Sequence, residues 1–168
     1  MKKFELTTES ITNVAGKKLF RIKALIDFED VKAGELGGYV EKEGNVSQDG
    51  NAWVYGNAWV SGDARVSGNA RVSGDARVCG NAWVSGNARV CGNADYTLIQ
   101  GFGTEFRCTT FYRGKNKKIM VNCGCFHGDL EEFKKQVKET RNGKVAKEYL
   151  MIADLMEYHF ASEDSDDE

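Results

Sequence analysis

The chain contains no proline and only two histidines, His127 and His159, in 168 residues. Without a proline ring to preset φ, reversals must rest on the chemistry of glycine, asparagine and aspartate, and glycine is abundant at 19. A formal charge of −2 excludes a global basic field, so neither non-specific nor sequence-specific DNA binding is expected. No apolar run approaches the roughly 20 residues of a membrane span. The Met1-Lys2-Lys3 start meets Phe4-Glu5-Leu6 with no apolar signal core, so a soluble, cytoplasmic protein is expected. Five cysteines, an odd number in a chain without an export signal, argue for reduced thiols rather than a disulfide framework.

What is present is a repeat. Glycine recurs every six residues from Gly38 to Gly92. From Gly50 each unit continues with Asn or Asp, then Ala, then Trp, Arg or Asp, then Val or Tyr, as in Gly62-Asp63-Ala64-Arg65-Val66-Ser67. On an extended segment the Ala and the Val share one face and the residue between them takes the other. Small apolar side chains therefore face in, and Trp or Arg faces out. A helix is excluded because a glycine every sixth residue costs about 1 kcal/mol each relative to alanine, and the apolar spacing does not follow a 3.6 period.

The repeats resemble the hexapeptide-repeat family, the left-handed parallel β-helix. There an aliphatic residue and a small residue four later recur every six, as Val60 to Ala64 and Val66 to Ala70 do. The resemblance implies three hexads per coil. Charge supports that register, because coils of eighteen residues place Asp63 and Asp75 between asparagines in their columns. Coils of twelve would set them one above the other at about 4.8 Å, an unfavourable like-charge contact. With eighteen, the outward columns read Trp53, Arg71, Arg89; Trp59, Arg77, Asp95; and Ser47, Arg65, Trp83. Arginine can stack on tryptophan between coils, and both types are enriched in interface hot spots. The candidate partner- or anion-binding residues are thus Trp53, Trp59, Arg65, Arg71, Arg77, Trp83 and Arg89, unless the ladders serve stability alone.

The expected fold is mainly β: a three-sided solenoid of about three coils over 38–97, between an N-terminal β cap (1–37) and a C-terminal cap (98–161). The N-terminal cap holds strands at Lys3 to Leu6 and Lys18 to Ile26, and Lys42 and Gln48 sit where later repeats carry Val. The C-terminal cap is read as a hairpin, Phe106 to Arg113 with Lys118 to Cys123, followed by two helices. The first helix opens on a capping box of Asp129 and Glu132, and the second spans about Val145 to Phe160. Residues 162–168 read as an acidic, disordered tail.

Candidate chemistry is sparse. Hexapeptide-repeat proteins include acyltransferases that use a histidine base, but neither histidine falls within the repeats, so no catalytic residue is assigned. Cys108, Cys123, Cys125 and His127 carry zinc-ligand types at a spacing shorter than the usual paired-thiol gap, which makes them weak candidates for a metal. No cofactor is expected. The periodic glycines do not sit at a strand-to-helix turn and form no phosphate loop.

The order of segments is similar to a group of small phage and prophage solenoid proteins. It is carried by Leu19-Phe20-Arg21-Ile22, Asp27-Phe28-Glu29-Asp30-Val31, Leu36-Gly37-Gly38-Tyr39-Val40, the hexads, and Cys125-Phe126-His127-Gly128-Asp129-Leu130. The resemblance implies a viral protein acting in the host bacterial cytoplasm. The expectation is a non-enzymatic, homo-oligomeric binding protein that occludes a host protein or sequesters an anionic nucleotide, with antiviral defence as a target. An acyltransferase and a structural virion component are the alternatives.

Overall fold

The computed structural model describes residues 1–161; the acidic segment 162–168 lies outside the described residues. Strands β1 (Phe4–Thr12) and β2 (Lys18–Ala24) pair antiparallel, and β2 pairs antiparallel with β3 (Leu36–Val40). Asn13 makes the first reversal, its side-chain oxygen accepting from the amides of Ala15 and Lys17, as an Asx turn does.

Seven two-residue strands follow: β4 (Trp53–Val54), β5 (Trp59–Val60), β6 (Arg65–Val66), β7 (Arg71–Val72), β8 (Arg77–Val78), β9 (Trp83–Val84) and β10 (Arg89–Val90). All pair in parallel at an offset of 18 residues, with Trp53 opposite Arg71, Arg71 opposite Arg89, Trp59 opposite Arg77 and Arg65 opposite Trp83. Successive strands join three separate sheets in rotation: β4-β7-β10, β6-β9, and β5-β8 as an extension of β1-β2-β3. Between strands the alanine amide returns to the carbonyl three residues earlier, as from Ala64 to Ser61 at 3.3 Å. The repeat glycines from Gly50 to Gly86 all have positive φ, which is why the turn demands glycine every sixth residue. The Ala and Val of every unit from Ala52 to Val90 are at most 1% exposed, each buried valine contributing about 1.5–3 kcal/mol.

The first rung departs from the expected register. Tyr39 pairs with Trp59 and Val46 with Val66, offsets of 20, so two extra residues lie between Val46 and Val54. A strict six-residue frame puts the polar Lys42 and Gln48 inward; the shift puts Val40 and Val46 there instead, both at most 1% exposed. Asn45, not Ser47, then stands beside Arg65. Its buried amide donates to the carbonyls of Gly62 and Ala64 at 3.1 and 2.9 Å.

After β10 the chain forms a four-stranded antiparallel sheet in sequence order: β11 (Tyr96–Phe102), β12 (Arg107–Arg113), β13 (Ile119–Cys123) and β14 (Phe126–Asp129). The expected hairpin is its centre; β11 and β14 are additional. Helices α1 (Leu130–Thr140) and α2 (Gly143–Phe160) pack on one face of this sheet, where Phe111 and Val121 join Phe133, Ile152 and Met156. Its other face presents Thr110, Tyr112 and Asn122 to the last repeats, Tyr112 being part of the solenoid core. Asp129 caps α1, accepting from the Glu132 amide at 2.9 Å while the Glu132 carboxylate accepts from the Asp129 amide. No helix among the described residues is long and apolar enough to cross a membrane.

Candidate binding face and the histidine corner

The seven Trp and Arg candidates do not share one environment. Trp53, expected to face outward, is 0% exposed. The N-terminal segment covers it, with Phe4 and Phe28 packed edge-on at centroid distances of 6.0 and 5.3 Å. Arg71, one rung above, is closed off from solutes by charge. Its guanidinium binds both oxygens of Asp30 at 3.0 Å and Glu29 at 2.7 Å, and lies 5.7 Å from the Tyr55 ring centroid. Glu29 holds its proton affinity above the ordinary arginine value. Arg71 therefore does not offer an anion site.

The Trp59 and Arg77 ladder is present, with the guanidinium carbon 5.1 Å from the indole centroid. Arg89 turns one Nη toward the Asn69 carbonyl at 3.3 Å. Between the sheets, the column Asn51, Asn69, Asn87 links amide to amide at 3.1 and 3.5 Å.

On the β6-β9 face Trp83 is 42% exposed and Arg65 is exposed beside it. The Trp83 indole N–H donates to Ser67 Oγ at 3.0 Å, which fixes the ring on the surface. Arg65 belongs to none of the arginine ion pairs among the described residues, which involve Arg21, Arg71 and Arg113. Both line a groove of about 740 Å³ with Lys42, Asp63, Ser67 and Asn81. Lys42 and Asp63 form an ion pair at 2.6 Å across its end, and Lys42 holds the Asp63 carboxyl below the usual carboxylate range. The repeat pattern marked Lys42 only as a polar residue at a Val position and Asn81 only as a corner asparagine in the column of Asp63, neither as a binding residue. They belong to the groove because Lys42 reaches Asp63 from the shifted first rung, and because the 18-residue offset of β6 and β9 sets Asn81 next to Asp63.

The weak metal candidates are not brought together. Cys123 accepts from the Thr109 hydroxyl at 3.1 Å, Cys108 points to the Asn81 carbonyl at 3.5 Å, and Cys125 is exposed in the β13–β14 turn. Among the described residues no three His, Cys, Asp or Glu side chains form a group able to hold a metal. Burial raises the Cys108 thiol above its ordinary pKa, which favours the inert thiol.

His127 lies outside the repeats in sequence, yet the fold carries it to their last corner. Asn122 donates its amide to the Trp83 carbonyl at 2.9 Å and to Ser85 Oγ at 3.0 Å, so its oxygen faces His127 Nδ1. In the neutral ring that contact places the proton on Nδ1 and leaves Nε2 as an acceptor. Nε2 approaches Gly86 at the edge of a cavity of about 270 Å³ lined also by Asn87, Lys115 and Lys118. The short Cys125-Phe126-His127 spacing carried no sign of this placement, which depends on β14 pairing with β13.

Two overlapping stretches, residues 64–80 and 76–92, match the YdcK β-solenoid repeat. That part of the chain is similar to a β-solenoid repeat, in agreement with the parallel strands. No curated protein matches the chain.

Proposed function

We propose that the protein is a non-enzymatic binding protein of phage or prophage origin that occludes a host protein in the bacterial cytoplasm. The proposal takes the three small parallel sheets as the sides of one left-handed hexapeptide β-helix of about three coils. The observation that carries the binding reading is the β6-β9 groove, where, among the described residues, nothing covers or ion-pairs Arg65 and Trp83 and the two are not stacked on each other. An exposed aromatic held by its own hydrogen bond, beside an unpaired guanidinium, is the residue chemistry of an interface hot spot. A protein surface suits this groove better than a nucleotide, because its cations do not converge. Lys42 is neutralised by Asp63, and Arg71 lies on another sheet bound to two carboxylates.

The test is a pull-down from host lysate with the wild-type chain and with Arg65→Glu, Trp83→Ala and Trp59→Ala variants. A partner retained by the wild type and by Trp59→Ala but lost with either groove variant supports the reading. A partner retained by an Arg65→Glu/Trp83→Ala double variant overturns it.

A second reading, acyl transfer, is favoured by one observation: the Asn122 contact orients the His127 ring with Nε2 toward Gly86 at a cavity edge. Acetyl-CoA turnover that vanishes in a His127→Ala variant, while the groove variants keep it, would establish that reading over occlusion.

A further inference from the structure

A third concavity lies between the β11–β12 loop, the β13–β14 turn, α1 and α2. Its volume is about 80 Å³. Phe126, Phe133, Val137 and Tyr149 form the apolar part of its lining, with Phe133 set 5.5 Å from Phe126 and 5.8 Å from Tyr149 between ring centroids. Arg107 and Arg141 line it from opposite segments, and both are exposed. The arginine ion pairs among the described residues belong to Arg21, Arg71 and Arg113, so no described acid engages either guanidinium. Arg141 donates one Nη to the neighbouring Thr140 carbonyl at 3.2 Å. Glu105 also lines the cavity without pairing to either, leaving its charge positive by one, two arginines against one glutamate.

The walls are shaped for these side chains. Gly124, at φ +60, is the residue across which Arg107 lies, and a Cβ there would collide with the guanidinium. Gly103, at φ +76, leaves room for the Tyr149 hydroxyl, which donates to the Phe102 carbonyl at 3.2 Å. Both glycines hold a left-handed conformation that other residues rarely adopt, and each lets one lining side chain lie close to the backbone.

We propose that this cavity binds a small carboxylate with a short branched aliphatic body, the carboxylate between Arg107 and Arg141 and the body against Phe133 and Tyr149. Guanidinium groups match a carboxylate by paired, charge-assisted hydrogen bonds. The whole cavity, its polar end included, has about half of the roughly 150 Å³ that admits a benzene ring, which selects a short branched body of about four carbons over an aromatic one. Such a group can come from a free short-chain acid or from the C-terminal residue of a peptide.

The test is a 1H-15N titration that follows the side-chain Nε–H signals of Arg107 and Arg141. The probes are 3-methylbutanoate, 3-methylbutanamide, and an acetylated Gly-Gly-Val peptide with a free or an amidated C-terminus. Saturable shifts with the carboxylates, at least tenfold weaker with the amides, are expected. Arg107→Ala and Arg141→Ala should each weaken binding at least tenfold, and Gln136→Trp should block the opening. Tighter binding of the free-terminus peptide identifies a chain end as the source, and tighter binding of 3-methylbutanoate identifies a free acid. Three outcomes overturn the proposal: no saturation with either carboxylate, equal binding of acid and amide, or unchanged binding by an Arg107→Ala/Arg141→Ala variant with a wild-type circular dichroism spectrum. Because none of these substitutions touches the β6-β9 groove, partner capture there is read independently.

Discussion

The Asn122 side-chain amide donates to the backbone carbonyl of Trp83, the outer member of the β6-β9 sheet, at 2.9 Å. Thr110 Oγ1 meets the Trp83 amide from the same side at 3.0 Å. Two side chains of the C-terminal sheet thus satisfy the edge that a further strand would otherwise take. Similar plugs act elsewhere: Asn93 accepts from the Arg77 amide at 2.8 Å and the Tyr96 hydroxyl donates to the Arg77 carbonyl. At the opposite end, Lys3 donates to the Ala52 carbonyl at 2.8 Å and Asn45 to that of Ala64 at 2.9 Å. An open parallel edge templates association with other chains, and polar side chains here terminate it without adding a strand.

Removing one plug should therefore both destabilise the fold and expose an adhesive edge. Asn122→Ala leaves the Trp83 carbonyl and Ser85 hydroxyl with lost partners in a buried setting, a cost of about 1–3 kcal/mol. Urea denaturation should show that loss, and sedimentation velocity should show concentration-dependent association absent from the wild type. A stability change under 0.5 kcal/mol with no association would refute the plug argument.

The tryptophans separate a buried position from an exposed one. Trp53→Ala removes a fully buried indole from between Phe4 and Phe28 and should cost about 3–5 kcal/mol. Trp83→Ala removes a surface ring and should change stability by less than about 1 kcal/mol. Thermal melts of the two variants read this directly, and equal losses would mean that Trp83 is also a structural residue.

Much of this difference was hidden in the repeat. The period of six and the inward Ala and Val follow from local spacing, since each unit repeats the same steric problem, whereas the pairing of Trp59 with Arg77 needed the eighteen-residue coil that the family resemblance implies and the placing of Asp63 and Asp75 supports. The same pattern assigned Trp53 an outward place, and locally that is correct; it is buried because a segment 49 residues earlier, at Phe4, folds over it. The two-residue slip of the first rung is visible only through the cost of turning Lys42 and Gln48 inward. Strands β11 and β14 lacked a clear alternation because their residues serve two packed layers and a sheet edge. His127 reached the repeat corner only through β14. Arg65 and Trp83 were legible as candidates, whereas their distinction from the other five depends on which faces the flanks cover.

Lys3 gives a pH test of the lower end. Burial pushes its pKa from 10.5 down to about 8, partly opposed by Asp49. The folded chain thus releases the proton more readily than the unfolded chain, which binds more protons between about pH 8 and 10.5. The cost of burying the charge is fully present below pH 8 and fades as pH rises through that window. Stability relative to a Lys3→Met variant should increase from pH 7.5 to 9.5; the variant keeps every tyrosine, so tyrosine ionisation, including that of Tyr55, raised to about 12 by burial, cancels from the difference. A difference that stays flat or falls across pH 7.5 to 9.5 would show that Lys3 is not held in a desolvated site.

Arg71 ties the loop that covers Trp53 to the repeats. Phe28 and Val31 exchange backbone hydrogen bonds at 3.0 and 2.9 Å around Glu29 and Asp30, the two acids that clasp Arg71. Glu29 sits at φ 45, a left-handed conformation that a side chain adopts at a cost of roughly 1–2 kcal/mol. The clasp offsets that strain. Exposed ion pairs contribute little singly, but here one half-buried guanidinium engages two carboxylates, with both oxygens of one of them. In Arg71→Ala the loop should open locally while the repeats stay folded, since Val72 and the flanking turn do not depend on the guanidinium. Hydrogen exchange at the Phe28 and Val31 amides should accelerate at least tenfold, equivalent to about 1.4 kcal/mol of lost local stability, with the Val72 and Val78 amides unchanged. Equal acceleration at all four sites would assign Arg71 a global role in the solenoid, and no acceleration would mean that the apolar contacts of Phe28 with Trp53 hold the loop without it.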